Sequence, residues 1–332
     1  MAEAPGGDRV LFCEWGDVMV KNTGAPGLSR KRGELGHYLK RYWMLYLMLL
    51  LPITFFVVFR YIPMTNIVIA FKDYNLFRTV WQAPWVGLKW FEKAFAMRDF
   101  YDALRNTITL NLLDLAVGFP APILLAILLN ELPYKGFKRV TQTVVYMPHF
   151  LSWIIISGLA MQLFAPSTGL VNMLLARWGH APINFLNDPK LWVPTYIGLG
   201  LWQSMGWNTI IYLAAITGIS PELYEAAEVD GASRLRKIWH VTLPGLRPTI
   251  VTLLIMNLGR ILGSEFDRPY ALRNPLVANV ADVISTYVYR VGIRSNQFSL
   301  AAAVGLFQSV VCVVFLLGAN ALAKKTGERG IW

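Results

Sequence analysis

Long apolar stretches alternate along this chain with shorter segments that carry most of its charged residues. An α-helix rises about 1.5 Å per residue, so about 20 apolar residues cross the roughly 30 Å hydrocarbon core of a bilayer. The pattern therefore predicts an all-α membrane protein with about six transmembrane helices. The expected spans are residues 42–59, 106–130, 140–164 and 191–219, a fifth that begins at Pro248 and meets Arg260, and residues 298–323.

A charged island, residues 220–244, separates the fourth and fifth spans and is expected to lie in water. Ser220 is predicted to cap a helix whose first position is Pro221. Gly231 is expected to end that helix in the left-handed conformation. A second, basic helix should follow and stop at Pro244. The island is thus predicted to be a compact helix-turn-helix on the membrane surface; an ordinary solvated loop with an amphipathic helix is the alternative.

Composition supports an integral membrane protein: the 332 residues are 55% hydrophobic, with a mean hydropathy of +0.44. The net charge of +11 is interpreted as basic loop ends facing anionic lipid rather than as a nucleic-acid surface. The two cysteines imply no disulfide framework, and no metal-ligand spacing occurs. Residues 1–34 are expected to form a disordered tail without a secretory signal.

The distribution of Lys and Arg predicts the orientation of the chain. If the N-terminus lies in the cytoplasm, the inner segments carry more Lys and Arg than the outer ones, and basic clusters stand directly beside the spans. This places both termini, the short tail 326–332 and the island 220–244 in the cytoplasm. The chain carries no GxxxxGK[ST], HExxH or GxSxG motif. We therefore expect neither ATP hydrolysis nor covalent catalysis by this chain, and no bound cofactor or metal.

Two groups of polar and aromatic side chains within the spans are candidates for a translocation path, because polar groups bind sugar hydroxyls and aromatic rings stack on sugar rings. Asn257 and Arg260, three residues apart, are expected to share a helix face. The first group is Trp202, Gln203, Trp207, Asn208 and Tyr212, and the second is Asn257, Arg260 and Ser264.

Two charges at membrane depth allow more than one interpretation. Arg260 is expected to form an ion pair with Glu265, Asp267, Asp114 or a neighbouring subunit, to attract an anionic oligosaccharide, or to reach the membrane interface. Asp114 is expected to form a helix–helix hydrogen bond, with a proton relay as the alternative.

The island resembles the EAA loop of bacterial ABC-importer permeases, with the spacing EAA…DGA…LP retained. In that family the loop is a coupling helix that docks in a cleft of the cytoplasmic ATPase. The resemblance implies this role for Glu225, Ala226, Ala227, Asp230, Gly231, Leu243 and Pro244.

Residues 35–325 also resemble the LplB-type branch of carbohydrate permeases, in the oligosaccharide-importing class that includes the maltose importer. The matching stretches include FKDYN at 71–75, YMPHFLSW at 146–153 and DVISTYVYR at 282–290. Within that branch the chain is particularly similar to the alginate-importer permeases of sphingomonads, which implies an acidic, alginate-like substrate.

The resemblance implies the type I ABC importer permease fold in a bacterial inner membrane, and import by alternating access. The implied partners are a second permease, two ATPase copies that hold ATP and Mg²⁺, and an extracytoplasmic solute-binding protein. Two other functions remain open from the residues alone. One is a stand-alone secondary transporter that uses Asp114 and Arg260 for ion coupling; the other is a membrane-bound regulatory or scaffold protein.

Overall fold

The computed structural model of the chain describes residues 32–263 and 265–325, together with Gly327 and Gly330. The predicted N-terminal tail lies outside these residues as far as residue 31, as does most of the predicted C-terminal tail. Within the described ranges the chain is helical, and its only extended pairing is an isolated bridge between Lys72 and Trp85. By contacts it divides into two units, residues 1–64 and 65–332.

The described part of the first unit is one helical run. Helix α1, Arg32–Phe56, bends at Tyr42, whose backbone (φ −116°, ψ 20°) leaves the helical region. A π-helical turn, Val57–Tyr61, and the short helix α2, Ile62–Met64, continue it. From residue 40 onward the run is apolar on nearly every side, as in a helix surrounded by lipid or other helices.

The second unit begins with a 3₁₀ turn at Thr65–Phe71 and contains the other described helices. They are α3 (Lys89–Ala96), α4 (Arg98–Gly118), α5 (Pro120–Glu131), α6 (Lys135–Tyr146), α7 (Trp153–Leu163), α8 (Leu170–Arg177), α9 (Pro189–Thr217), α10 (Pro221–Val229), α11 (Arg234–Lys237), α12 (Leu243–Leu258), α13 (Asp267–Leu272), α14 (Ala278–Ala281), α15 (Ile284–Tyr289) and α16 (Phe298–Lys325).

Helix α9 is the centre of the second unit, packing against α4, α5, α6 and α12. Its approach to α6 is so close that a Cβ atom at Gly206 would lie 2.1 Å from the carbonyl oxygen of Val145. Only glycine fits there without displacing the backbone of α6. Helices α13, α14 and α15 form a short-helix segment between α12 and α16. Helix α13 packs on α7, α14 packs on α4 and α9, and α15 packs on α4 and α16.

Among the residues that the structure describes, four helical stretches are long and apolar enough to cross a membrane: Lys40–Phe71, Arg98–Glu131, Arg234–Leu258 and Phe298–Lys325. A fifth is obtained if Lys135–Phe150 and Trp153–Leu163, which meet at 102°, are counted as one broken span. The predicted fourth span corresponds to α9, which is 29 residues long but too polar to pass the same test. The predicted count of six therefore stays a prediction.

Prolines explain where the observed helices depart from the expected spans. The predicted second span is divided at Pro120, which begins α5, as proline at the first position of a helix allows. The predicted third span breaks at a 3₁₀ turn containing Pro148, after which Ser152 caps α7 through a 3.4 Å bond from the amide of Ile155. Pro194 has no such effect, because α9 continues through it as one helix.

Candidate functional site

The island at residues 220–244 folds as the predicted helix-turn-helix. Helix α10 begins at Pro221, and Ser220 occupies the capping position with an extended backbone. The expected capping bond is absent, because the side chain of Ser220 accepts no hydrogen bond from the first turn. The first-turn Glu222 and the proline at the first position still favour a helix start at this point.

Gly231 ends α10 as predicted, with φ at +70°. The amide of Gly231 donates to the carbonyl of Glu228 at 3.0 Å, and the amide of Ala232 donates to the carbonyl of Ala227 at 2.8 Å. These two bonds form a Schellman motif, which satisfies carbonyls that the helix end would otherwise leave free. The chain therefore reverses in one residue, and α11 starts at Arg234.

Two side-chain contacts tie the halves of the helix-turn-helix together. Glu228 Oε1 accepts a 2.6 Å hydrogen bond from Lys237 Nζ, and Tyr224 Oη lies 3.0 Å from Thr242 Oγ1. The bond from Lys237, and then its charge, lower the pKa of Glu228 below the usual value of a glutamate. Since both contacts join α10 to the segment after the turn, a displacement of α10 is passed on to that segment.

The lowered pKa of Glu228 leads to a testable pH dependence. A depressed carboxylate pKa stabilises the folded turn above the ordinary pKa of glutamate, and this contribution is lost as the pH falls through the lowered value. We expect amide exchange in residues 221–232, corrected for intrinsic rates, to rise as the protein is acidified in that range. The variant Lys237→Met should exchange faster at neutral pH and respond less to acid; an unchanged acid response would show that another group controls it.

The outer surface of α10 is free to meet a partner. Glu225 and Ala226 are exposed, Ala227 is half-buried, and Val229 is 89% exposed. Within the part of the chain that is described, Glu225 forms no hydrogen bond or ion pair with other side chains. A small-residue surface flanked by a free carboxylate and an apolar side chain suits docking into a cleft.

Pro244 does not stop the second helix, contrary to the sequence-based prediction. A π-helical turn, Ile238–Thr242, follows α11 and leads directly into α12, in which Pro244 is the second residue. Proline is tolerated there because the widened turn already departs from regular α-helical hydrogen bonding. Leu243 is half-buried against the cluster around Leu246, whereas Pro244 is exposed. The second helix of the helix-turn-helix, α11, is consequently continuous with the membrane helix α12.

Two of the first group of path candidates, Gln203 and Trp207, contact the break between α6 and α7. The ring of Trp207 stacks on His149 with centroids 4.5 Å apart, and Gln203 Nε2 donates to the carbonyl of His149 at 3.4 Å. Trp202 is 46% exposed, and Asn208 is exposed as well. Polar groups and aromatic faces therefore stand together and accessible on this stretch of α9.

Tyr212, the remaining member of the first group, has a different environment. It is 3% exposed and belongs to a buried cluster with Ala126, Ile127, Ile216 and Leu246. Its ring packs where α5, α9 and α12 meet, so within this chain it is part of the core.

The second group of candidates lies at the end of α12. Asn257 is exposed and its side chain donates to the carbonyl of Leu253. Helix α12 ends at Leu258, so Arg260 lies in the following turn, and the expected shared helix face with Asn257 does not form. Ser264 lies outside the described residues. Arg260 is exposed, and none of the described carboxylates pairs with it.

Asp114 pairs instead with Arg268, which the sequence analysis did not single out. Arg268 Nη1 and Nη2 bind the two carboxylate oxygens of Asp114 at 2.6 and 3.1 Å. Nη2 also donates to the carbonyl of Tyr196 at 2.6 Å, and the guanidinium lies 3.7 Å from the centroid of that ring and 5.3 Å from the ring of Trp153. This bidentate pair joins α4, α7, α9 and α13 at one point.

A glycine makes room for this pair. A Cβ atom at Gly200 would lie 2.2 Å from Arg268 Nη2, so the guanidinium occupies the volume that a side chain would fill. Arg268 is only 8% exposed, and its Nε has no hydrogen-bond partner among the described atoms. The arginine is therefore held chiefly by the Asp114 carboxylate, the Tyr196 carbonyl and the two aromatic rings.

Residues 118–328 match the family model described as "Binding-protein-dependent transport system inner membrane component". The chain belongs to this family.

Two curated relatives and one solved structure extend the assignment over the whole chain. The polygalacturonan/rhamnogalacturonan transport system permease protein YteP of Bacillus subtilis is 44% identical over 331 residues, which is 100% of this chain and 98% of that protein. Protein LplB of the same organism is 41% identical over 317 residues, covering 95% and 100% of the two chains. A chain in the crystal structure of a bacterial alginate ABC transporter, in complex with an alginate pentasaccharide-bound periplasmic protein, is 41% identical, with a TM-score of 0.83 over 90% of this chain and 100% of that one.

Family membership confirms the main predictions. This chain is a sugar ABC transporter permease, an integral inner membrane protein with the type I ABC permease fold. Its family assembles with a second permease, an ATPase and an extracytoplasmic binding protein. The relative YteP is a transport system permease protein, in agreement with a non-catalytic transport subunit.

Proposed function

We propose that this chain is one of two permease subunits in an ATP-driven importer of acidic oligosaccharides. Polygalacturonan and alginate, named for two of its relatives, are both polymers of uronic acids, so the shared substrate chemistry is a sugar ring that carries a carboxylate. Arg260, in the turn that follows α12, is exposed and is paired with none of the described carboxylates, and this observation supports an anionic substrate.

The helix-turn-helix supplies the coupling in this proposal. Glu225, Ala226, Ala227, Asp230 and Gly231 present the docking surface to a partner ATPase, which binds ATP and Mg²⁺, while this chain holds no cofactor. Leu243 and Pro244 join that surface to α12. Both termini and the helix-turn-helix lie in the cytoplasm, as the distribution of Lys and Arg suggests.

Transport then proceeds by alternating access. Closure of the ATPase displaces α10, the movement passes through the π-helical turn into α12, and the path beside Trp202, Gln203, Trp207 and Asn208 opens to the outside, where the binding protein releases the sugar. The ATPase drives this change only through different binding free energies for the two states. An ion-coupled transporter that uses Asp114 is not favoured, because Arg268 already neutralises that carboxylate.

The test is uptake by proteoliposomes that contain this permease with its partner permease, ATPase and binding protein. We expect uptake of oligogalacturonate or oligoalginate that requires ATP on the ATPase side and the binding protein on the other. Uptake driven by an ion gradient without ATP would show a secondary transporter. Partner binding without uptake of any sugar would support a scaffold instead.

Arg260 provides a prediction about substrate charge. The variant Arg260→Ala should raise the half-saturating concentration of an acidic oligosaccharide by a factor of roughly ten to a hundred, since a hydrogen bond to a charged group contributes about 1.5–3 kcal/mol. Uptake of the same sugar with its carboxylates methyl-esterified should change little. Arg260→Lys, which retains the charge, and Arg105→Gln, which removes an exposed arginine on α4, serve as controls. Equal losses for the acidic and esterified sugars would reject this role.

A further inference from the structure

The turn between α15 and α16 carries an arginine, Arg294, that none of the described carboxylates neutralises. Arg273 and Arg290 both bind Asp282, at 3.0 and 2.8 Å. Arg268 has its own carboxylate partner, as described above. Arg294 differs from all three, because none of the described acidic side chains lies within ion-pair distance of it. Its positive charge therefore remains available to a ligand.

Arg294 is nevertheless held in place. Its Nη2 donates a 3.2 Å hydrogen bond to Tyr270 Oη, and its guanidinium lies 5.8 Å from the centroid of the Tyr289 ring. The bond to Tyr270 raises the pKa of Arg294 above its already high usual value, so the side chain is charged at every physiological pH. The residue is exposed, and most of its five N–H donors remain free.

Two aromatic rings, Tyr270 and Tyr289, contact this guanidinium, and a third, Phe266, packs against both of them. Phe266 and Tyr270 stack with centroids 4.8 Å apart, and Tyr289 lies 5.1 Å from Phe266 and 5.3 Å from Tyr270. Each of the three rings is only partly buried. We call these three residues and Arg294 the aromatic–arginine cluster.

A π-helical turn shapes the backbone that presents Arg294. The turn, Arg290–Arg294, follows α15 directly, and Asn296 then adopts a left-handed conformation with φ at 54°. Amides beyond the turn donate back to it, from Ser295 to Arg290 and from Gln297 to Val291. Arg294 is thus positioned by defined backbone geometry as well as by its aromatic neighbours, which lowers the entropy cost of binding a ligand there.

We infer that the aromatic–arginine cluster is a binding subsite for a uronate ring of an acidic oligosaccharide, separate from the path residues on α9 and α12. The inference rests on the proposed function and adds a specific contact to it. The planar guanidinium suits a carboxylate, which it binds with two parallel hydrogen bonds. The partly exposed ring edges and faces of Tyr270 and Tyr289 provide the apolar contact that a sugar ring requires.

The experiment compares two forms of one sugar in proteoliposomes that contain the complete importer. Trigalacturonate is the acidic probe, and its methyl ester is the neutral one. Arg294→Gln should raise the half-saturating concentration of trigalacturonate about tenfold and leave that of the ester unchanged. Arg294→Lys should recover only part of the loss, because an ammonium cannot form the two parallel bonds. Arg177→Gln, which removes another exposed arginine, on α8, should have no effect.

A second measurement separates sugar binding from docking of the binding protein. The affinity of the sugar-free binding protein for the complex is measured for the unsubstituted chain and for Arg294→Gln. Equal affinities support the inference. A weaker affinity would show that Arg294 binds a carboxylate of that protein, and equal losses with both probes would also overturn the inference. If the unsubstituted complex imports neither probe with ATP, the proposed function fails as well.

Discussion

Replacing Gly231 with valine is expected to abolish most sugar uptake while the chain still inserts, assembles and supports ATP hydrolysis. Gly231 has φ at +70°, and nothing lies within 4 Å of the position where a Cβ would be added. The cost therefore comes from the backbone, about 1–2 kcal/mol for an L-residue in the left-handed region and more for a β-branched one. A cost of this size lowers the equilibrium constant for forming the correct helix end about tenfold, since about 1.4 kcal/mol is a factor of ten.

The measurement is uptake per ATP hydrolysed in proteoliposomes. Gly231→Asn should retain most uptake, because asparagine tolerates the left-handed conformation. Gly136→Val is a matched control on α6, where the backbone is not left-handed and an added Cβ also meets nothing within 4 Å. Glu225→Lys, which reverses the free carboxylate on α10, should lose uptake in the same way. Normal uptake in both Gly231→Val and Glu225→Lys would reject the coupling assignment.

Replacing Gly200 with alanine is expected to destabilise the protein strongly. The added Cβ would lie 2.2–2.6 Å from three guanidinium atoms of Arg268, so the arginine would have to leave Asp114 and the carbonyl of Tyr196. Breaking a buried ion pair costs about 3–5 kcal/mol because a buried charge loses its partner. The Asp114 side chain is 30% exposed, so the lower end of this range, about 3 kcal/mol, is expected.

Thermal unfolding of the purified complex measures this effect, and α9 offers a close control. Gly198→Ala adds a methyl group two residues away, where nothing lies within 4 Å, and should unfold like the parent chain. Arg268→Met should be as destabilising as Gly200→Ala. Combining Arg268→Met with Asp114→Leu should restore part of the loss, because neither charge then remains buried alone. A stable Arg268→Met variant would show that the pair contributes little.

Local chemistry made the end of α10 predictable from the sequence. The left-handed residue of a helix end is usually glycine, and Gly231 follows a helix start marked by Pro221. Both signals lie within a dozen residues, so no distant contact had to be known. The long helices α9 and α16 were predictable for a related reason, since the length of an uncharged run is also a local property.

The pairing of Asp114 with Arg268 could not be predicted in this way. The two residues are 154 positions apart, and their contact depends on how α13, which packs on α7, brings the Arg268 side chain to α4 and α9. Arg260 interrupts an apolar stretch, so a functional role or an ion pair was predicted for it from the sequence. Arg268 lies in a polar segment, as many surface arginines do. Gly200 belongs to the same site, but a glycine in a helix does not indicate which side chain fills its space.

Tyr212 and Pro244 also differ from the sequence-based prediction, because the structural role of each depends on the surrounding packing or backbone. Tyr212 carries a hydroxyl that suits a polar path, but its ring is equally suited to a core, and the packing of α5, α9 and α12 places it there. Pro244 usually marks a helix stop, yet the π-helical turn before it allows the helix to continue. Periodicity and composition do not reveal a π-helical turn.

That turn also fixes the length of the chain between Gly231 and Pro244. Successive residues of an α-helix are rotated by about 100° about its axis. Removing one residue from Ile238–Thr242 would turn every later position of α12 by about that angle relative to α10, so Asn257 and the turn carrying Arg260 would point in a different direction. The side chains of the turn can vary, but its number of residues sets the angular phase between the cytoplasmic docking surface and the membrane path. Insertions and deletions there should therefore be far less tolerated than substitutions.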